Sequence, residues 1–304
     1  MIALVSAPTH LGLRPPEAGS VPGTSKAPEA LRGAGLHRRF EAIGAVDAGV
    51  VLPGRYVDDD SRREPGRVRN EAAIVDHARR LGTRVQAILS EGRAPLLLGG
   101  DCSLLLGIGL GVSSTEDVGL IHLDGHTDFR HPGNSTTCAS VAGEDLAASV
   151  GLHWAAIADI DGRGPYFEAS NVAHVGCRSD DEEAAEAADV LGLVVPSQTA
   201  ITQGMAATAA AARAVAGGTR YWLQVDVDIL DPRWMPAVDS PDHGGLDPEH
   251  LLQLLRALAP GAVGASITIF DPDLDISGYY ASILSEIIWG GLNALGSTNE
   301  DSLR

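Results

Sequence analysis

Short apolar runs alternate with longer helical patterns along the chain, and this alternation limits the possible folds more than any other feature of the sequence. Several runs are apolar throughout rather than at every second position, which is typical of strands covered on both faces. Such strands between layers of helices indicate an α/β fold with a mainly parallel central sheet. The predicted strands and helices are residues 2–6, 27–36, 68–91, 94–99, 118–123, 172–175, 205–216, 221–227, 248–258 and 263–270.

The length of 304 residues and the 44% of hydrophobic side chains are sufficient for one large core. We therefore expect a single domain over residues 1–304. The first residues lack the basic start and the apolar length of a signal peptide, and no later run reaches about 18 apolar residues. These features predict a cytoplasmic protein without a membrane span. Residues 298–304 are a short polar tail with no visible assembly element.

Acidic residues outnumber basic ones by 40 to 22, which gives a formal net charge of −18. This charge repels phosphate backbones and anionic lipids, so neither nucleic acid nor a membrane is an expected partner. The charge favours a small cationic substrate. An acidic surface that serves solubility alone is the more common explanation of such a charge.

Acidic side chains follow the predicted strands directly, at the edge of a parallel sheet where ligands bind. Alternate side chains of an extended segment share a face, so acids at every second position converge. Carboxylates crowded in a dry crevice need a compensating cation, and oxygen ligands with one imidazole suit Mn²⁺ or Mg²⁺. The alternative is that Asp226 or Asp228 only caps the next turn. The converging residues are Asp124, His126, Asp128, Asp226 and Asp228.

Three motifs resemble the signatures of the arginase, agmatinase and formiminoglutamase family. They are Gly99-Gly100-Asp101, Asp124-Gly125-His126-Thr127-Asp128 and Asp226-Val227-Asp228-Ile229-Leu230-Asp231-Pro232. Residues 23–36 are similar to the N-terminal loop and helix of the family, so the resemblance covers nearly the whole chain. It implies a three-layer α/β/α fold, a homo-oligomer (trimer or hexamer), and hydrolysis of a C–N bond in a guanidino or formimino compound. The product would be urea or a related amide.

The resemblance also implies a binuclear manganese centre. In the family, the counterparts of Asp124 and Asp226 bridge the two ions, and a hydroxide held between the ions attacks the substrate carbon while the counterpart of Asp128 accepts its proton. The first ion is bound at the position of Cys102, and the second at that of His126. The metal ligands implied for this chain are Cys102, Asp124, His126, Asp128, Asp226 and Asp228.

Cys102 stands where the family usually has histidine. A thiolate is a soft ligand that suits Mn²⁺ poorly, so the first position is expected to be weak, empty or occupied by zinc. Some hydroxyarginine hydrolases of this superfamily resemble the chain in having cysteine there. Two other functions follow from the change: a non-catalytic relative with a remodelled first position, or a single-metal amidase or deacetylase-like hydrolase on the same fold. The simplest alternative is a buried, inert cysteine.

The His-Gly stretch that follows the acidic motif in arginases is replaced here by Thr136-Thr137-Cys138-Ala139-Ser140. Its histidine helps proton transfer in arginase. His131 is the nearest candidate for that catalytic role, against the alternative of a solvated loop histidine. A reversible pairing of Cys102 with Cys138 is a redox hypothesis.

Four residues are candidates for substrate binding. The glutamate with which arginases meet the guanidinium group has no clear counterpart near the last core strand, where Thr268 is nearest in register and Asp271 follows. Asp271 is equally well explained as a turn residue. Arg130 could pair with a substrate carboxylate or form a surface salt bridge. Asp181 could face a substrate amine or begin a solvated helix.

Overall fold

The computed structural model describes residues 1–113 and 118–299, and these residues contain an eight-stranded sheet in which neighbouring strands pair in parallel. The strands lie in the order β2-β1-β3-β8-β7-β4-β5-β6. Their bounds are β1 (Ile2–Ala7), β2 (Val46–Val50), β3 (Ala94–Gly99), β4 (Gly119–Leu123), β5 (Val172–Val175), β6 (Leu193–Val195), β7 (Tyr221–Asp226) and β8 (Ala262–Thr268).

Helices cover both faces of this sheet, which confirms the predicted three-layer α/β/α architecture. Strand residues alternate between two hydrophobic cores: Leu96 and Leu98 of β3 belong to one core, and Leu97 belongs to the other. This is why the strand runs are apolar at every position. The helices are α1 (Ala27–Gly33), α2 (Leu36–Glu41), α3 (Glu71–Ser90), α4 (Leu104–Val112), α5 (Asp145–Ser149), α6 (Ala155–Ala158), α7 (Ala184–Val190), α8 (Ser197–Gln203), α9 (Met205–Val215), α10 (Pro248–Leu258) and α11 (Tyr279–Leu292).

The structure differs from the prediction in one helix and in two edge strands. The predicted helix 27–36 is divided into α1 and α2, because Gly35 adopts a left-handed conformation with φ 87° between them. The strands β2 and β6 were not predicted. Both lie at the edges of the sheet, where β2 is mostly exposed and β6 is half-buried, so neither carries a long apolar run.

The glycines of α4 allow it to pack closely against α3. A methyl group added at Gly107 would lie 3.0 Å from Leu81, and one added at Gly111 would lie 2.7 Å from Val85. Helix α4 begins at Leu104, two residues after Cys102. No helix in the described ranges has the length and apolar character needed to cross a bilayer. Of the polar tail, residues 300–304 lie outside the described residues.

Candidate metal centre

The sheet order brings the chemistry-bearing strand ends together. Strands β3, β8, β7 and β4 are consecutive neighbours in the sheet. Because all four are parallel, their carboxyl ends meet at one edge. Cys102 follows β3, Asp124 follows β4, Asp226 ends β7, and Thr268 ends β8.

Tight turns, rather than extended segments, group the acidic residues. Strand β4 ends at Leu123, and Asp128 has a left-handed φ of 48°. Asp226 caps the short 3-10 helix Val227–Ile229, where its carboxylate accepts a hydrogen bond from the Asp228 backbone N–H at 2.8 Å. The predicted extended conformation is therefore wrong. The capping alternative is correct for Asp226. The second oxygen of the Asp226 carboxylate still faces the crevice residues.

One side of the crevice, called here the histidine side, consists of His126 and Asp228. The Asp228 carboxylate accepts the Gly125 backbone N–H at 3.0 Å and lies 3.0 Å from His126 Nδ1. Burial opposes ionisation of Asp228, but the His126 ring beside it lowers the pKa of Asp228 below its usual value. Burial likewise opposes charge on His126, but Asp228 and Asp242 raise the pKa of the imidazole to about 9. Ligand atoms of Asp124, His126 and Asp228 lie within 4.8 Å of one another.

Two residues that the sequence did not indicate support the histidine side. Asp242 Oδ2 lies 3.1 Å from His126 Nε2, so the ring is held at both nitrogens. The buried guanidinium of Arg178 donates to the backbone carbonyls of Asp228 at 2.7 Å and Asp242 at 2.8 Å. Arg178 follows strand β5, so its position after a strand was the available signal.

The opposite side, called the thiol side, consists of Cys102, Asp128 and Asp145. Their ligand atoms lie within 4.8 Å of one another, and Cys102 forms a second such group with Asp124 and Asp226. The Cys102 thiol donates to Asp226 Oδ2 at 2.8 Å. Burial and the neighbouring Asp226 carboxylate raise the pKa of this thiol well above its usual value.

The buried acids of the crevice lack compensating charge. Burial and the carboxylates around them raise the pKa of Asp124, Asp128 and Asp226 well above the usual range. Asp124 Oδ2 and both oxygens of Asp145 have no hydrogen-bond partner within the described part of the chain. Buried carboxylates of this kind are normally paired or bind metal. The donor set therefore fits divalent cations, with oxygen and imidazole on one side and oxygen and sulfur on the other.

Three of the predicted catalytic and substrate-binding residues do not line the crevice, and among the predicted metal ligands the buried Cys102 and Asp124 do not line it either. His131 Nε2 lies 3.1 Å from Glu186, and its Nδ1 accepts the Gly133 backbone N–H at 3.1 Å. Thr268 lies beneath the centre, 3.3 Å from Cys102 Sγ. Asp271 is turned to the backbone, where it accepts from Gly23 at 3.1 Å and Asp273 at 2.8 Å. The lining includes Asp128, Arg130, Asp181, Glu183 and Ile269, but none of these three.

Arg130 and Asp181 do line the crevice, and each already has protein partners. Arg130 Nε lies 3.5 Å from Glu183, and Asp181 accepts from Thr127 N–H at 2.8 Å and Thr127 Oγ1 at 2.7 Å. Ile269, rather than Thr268, faces the crevice after β8, and its φ of 71° is strained for a β-branched residue.

The three cysteines are free. Cys138 lies near Glu144 and His153 rather than in the thiol side, and its thiol donates to the Ser135 carbonyl at 3.7 Å. The redox pairing of Cys102 with Cys138 stays a prediction.

Comparison with known proteins agrees with this geometry. A family model described as the Arginase family matches residues 2–291. The chain belongs to the arginase family. The arginase of Brevibacillus brevis is 31% identical over 233 residues, which cover 74% of this chain and 76% of that protein. The guanidinopropionase of Pseudomonas aeruginosa is 26% identical over 217 residues, which cover 70% of this chain and 64% of that protein. The arginase structure from Bacillus caldovelox has a TM-score of 0.85 at 27% identity, covering 96% of this chain and 97% of that one.

Membership of the arginase family confirms the resemblance inferred from the three motifs. As a member of this family, the chain is a hydrolase of C–N bonds other than peptide bonds. The relatives differ in the substrate that their names give, so family membership leaves the individual substrate to be found by experiment.

Proposed function

We propose that this protein hydrolyses a C–N bond of a small cationic guanidino or formimino compound, with two divalent metal ions, and releases urea or a related amide. One observation carries the proposal: buried carboxylates without compensating charge stand at the family's metal-ligand positions in one crevice. Asp124 and Asp226 lie between the two sides and would contact both ions. His126 and Asp228 would complete one position, and Cys102 with Asp128 the other.

When bound, the divalent ions supply Lewis-acid activation of water toward an amidine carbon. The residues of the chain would orient the substrate and exclude bulk water. Asp128 lies on the crevice wall, where its carboxylate accepts the proton of the attacking water. The acids Asp181, Glu183 and Asp239 line the mouth and attract a cationic substrate. Ile269 offers an apolar contact rather than a carboxylate where the substrate meets the end of β8.

Arg130 is a second residue that would determine substrate specificity, in addition to the acidic residues at the mouth. Its guanidinium is half-exposed at 43% and makes only a 3.5 Å contact with Glu183. A substrate carboxylate could replace this weak contact with a bidentate pair. We therefore propose a substrate with a guanidino or formimino group at one end and a carboxylate at the other.

The first test is the metal content per chain of protein produced with manganese, measured for the parent and for Cys102→His. We expect the parent to contain close to two ions per chain. We also expect it to release urea or an amide from members of a panel of guanidino and formimino acids. One ion or none in the parent, with a second ion gained only by Cys102→His, would favour a remodelled first position.

A single-metal amidase is the second candidate, and the Cys102–Asp226 contact of 2.8 Å favours it because the thiol occupies a ligand position in protonated form. Metal-stripped protein separates the two candidates. Restoration by manganese with urea as product supports the leading proposal, whereas restoration by zinc with a carboxylate product supports the amidase. The cytoplasmic location and the homo-oligomer stay predictions.

A further inference from the structure

Asp145 is a buried acid that the proposed reaction leaves without a role. It begins α5 and is fully buried, and no hydrogen bond of normal geometry reaches either of its carboxylate oxygens from residues 1–113 and 118–299. Burial raises its pKa, and the Asp128 carboxyl group and the Leu146 backbone N–H lie close enough to oppose that rise in pKa. Its position is well fixed, because the Ala147 backbone N–H donates to the Asp128 carbonyl at 3.2 Å and ties α5 to the crevice wall.

Two of the groups around Asp145 each have one buried polar atom without a hydrogen-bond partner among the described residues. A carboxylate oxygen of Asp145, one of Asp128 and the Cys102 sulfur lie within 4.8 Å of one another. His122 Nε2 lies 4.0 Å from Asp145 Oδ2 and 3.6 Å from Asp124 Oδ2, and both His122 Nε2 and Asp124 Oδ2 lack a hydrogen bond to any described residue. Several unpaired donors and acceptors thus face one small space.

The adjacent acid shows how a buried carboxylate can be satisfied by donors of the protein itself. Glu144 is also fully buried, but its Oε1 accepts the Ala139 and Ser140 backbone N–H groups at 2.7 and 3.1 Å, and its Oε2 lies 3.0 Å from His153 Nε2. Glu144 is satisfied within the protein and Asp145 is not. A buried acid without protein donors is expected to pair with a cation.

We propose that Asp145 is a direct metal ligand, and that Asp145, Cys102 and Asp128 form a thiolate-and-carboxylate position that selects Zn²⁺ over Mn²⁺. This inference rests on the proposed metal-dependent function and deepens it, since it names an additional ligand and the ion of one position. Cys102 is a soft ligand that favours zinc, and the four-coordinate zinc sites of proteins accept sulfur and carboxylate oxygen together. Manganese remains suited to the oxygen and imidazole ligands of the histidine side.

Two other arrangements would also relieve the unpaired groups: a proton shared between Asp128 and Asp145, or a buried water bridging His122, Asp124 and Asp145. Neither requires a metal ion at the thiol side. Both predict that removing the charge of Asp145 leaves metal binding unchanged, so metal binding, rather than catalytic activity, is the measurement that separates them from a ligand role.

The experiment compares full-length parent, Asp145→Asn and Glu144→Gln proteins after metal removal. Each is titrated with Zn²⁺, Mn²⁺ and Co²⁺, and the thiolate-to-cobalt charge-transfer absorption is recorded. The parent is expected to bind one equivalent of Zn²⁺ more tightly than Mn²⁺ and to show the thiolate band with Co²⁺. Asp145→Asn is expected to lose about 10- to 100-fold in Zn²⁺ affinity at that position and to keep its second site. Glu144→Gln is the matched control and should keep the parent affinities.

Equal Zn²⁺ affinity and an unchanged cobalt spectrum in Asp145→Asn would overturn the ligand role of Asp145. If Asp145→Asn is insoluble, Asp145→Ser replaces it, and the same comparison applies. A parent that binds two Mn²⁺ and hydrolyses a guanidino acid, with no thiolate band and no preference for zinc, would overturn this inference and leave the proposed function intact. A parent that binds no divalent ion at either side would overturn both.

Discussion

On the histidine side of the crevice, Asp228 accepts hydrogen bonds from Gly125 and lies against His126, whereas on the thiol side Asp145 meets no donor among the residues that the structure describes. The first side is held in shape by the protein itself. The second places acids and a thiol together and leaves both oxygens of Asp145 without a hydrogen-bond partner in the described ranges. The contrast teaches that similar acidic clusters can differ in how much they depend on an ion, because only unsatisfied ligands leave the cost of burial uncompensated.

The largest effect is expected for Asp226, which lies between the two sides. Its oxygens accept from Cys102 Sγ at 2.8 Å and from the Asp228 backbone N–H at 2.8 Å. We predict that Asp226→Asn loses both metal ions and at least about a thousandfold in kcat/KM, or ~4 kcal/mol of transition-state stabilisation. Elemental analysis and steady-state kinetics measure these two losses.

The matched control is Asp247→Asn. Asp247 caps α10 by accepting the His250 backbone N–H at 2.8 Å, away from the crevice. The control should lose only a few tenths of a kcal/mol of unfolding free energy, because asparagine caps a helix about as well as aspartate, and it should retain both ions. Full metal content in Asp226→Asn would show that the two sides do not share a ligand.

His126→Asn tests whether the two sides bind ions independently. Loss of the imidazole removes a ligand of the histidine side, and we expect its Mn²⁺ affinity to fall by at least about 100-fold, since changes to groups behind metal ligands alone cost 10- to 100-fold. Calorimetric titration of metal-free protein measures the change. Binding at the thiol side should be unaffected. His243→Asn, at a ring that is 83% exposed on the neighbouring loop, is the control. Simultaneous loss of both ions would show that the two sides do not bind ions independently.

The central strands were predictable from sequence because they are buried on both faces. Strands β3, β4 and β7 match their predicted apolar runs within one residue, and the motifs that follow them contain the predicted metal ligands. The edge strand β2 was not predictable, because its exposed surface removes the apolar signal. Periodicity identifies strands that are covered, and the covered strands are those that carry the centre.

Residues that lie in connecting segments were not predictable in the same way. Asp145, Arg178 and Asp242 approach the predicted ligands from loops or a short helix. Apart from the position of Arg178 after β5, no local pattern in the sequence indicates them. His131 shows, conversely, that closeness in sequence to the acidic motif does not predict a position in the crevice. It is close in sequence to the acidic motif, yet its ring contacts Glu186 outside the crevice lining.

Asp145→Asn should stabilise the metal-free protein, because the thiol side lacks the hydrogen bonds that hold the histidine side. Burial raises the pKa of Asp145 to about 8, so at about pH 9 the substitution removes a buried charge that has no donor of normal hydrogen-bond geometry. We expect the free energy of unfolding of the metal-free protein at that pH to rise by ~1–2 kcal/mol. With zinc present the order should reverse, because only the parent gains the full binding energy. Urea unfolding with and without chelator measures both. A metal-free variant that is less stable than the metal-free parent would show that Asp145 is already compensated within the protein.

The smallest effect is expected for Asp231, which orders the segment that brings Asp242 to the histidine side. Its carboxylate accepts the backbone N–H groups of Arg233 at 3.0 Å and Gly244 at 2.9 Å. Burial opposes its ionisation, but these hydrogen bonds hold the pKa of Asp231 well below its usual range. We predict that Asp231→Asn costs about 1 kcal/mol of unfolding free energy at neutral pH.

The sign of the pH dependence makes this last prediction specific. A carboxyl group whose pKa is lowered by folding contributes stability above its unfolded pKa of about 3.9, and this contribution is lost as the pH falls toward the folded pKa. The difference in unfolding free energy between parent and Asp231→Asn should therefore be constant from neutral pH down to about pH 5 and shrink below about pH 4. Urea unfolding across this range measures it. A difference that does not shrink in acid would assign the loss to packing of the segment rather than to the ionised carboxylate.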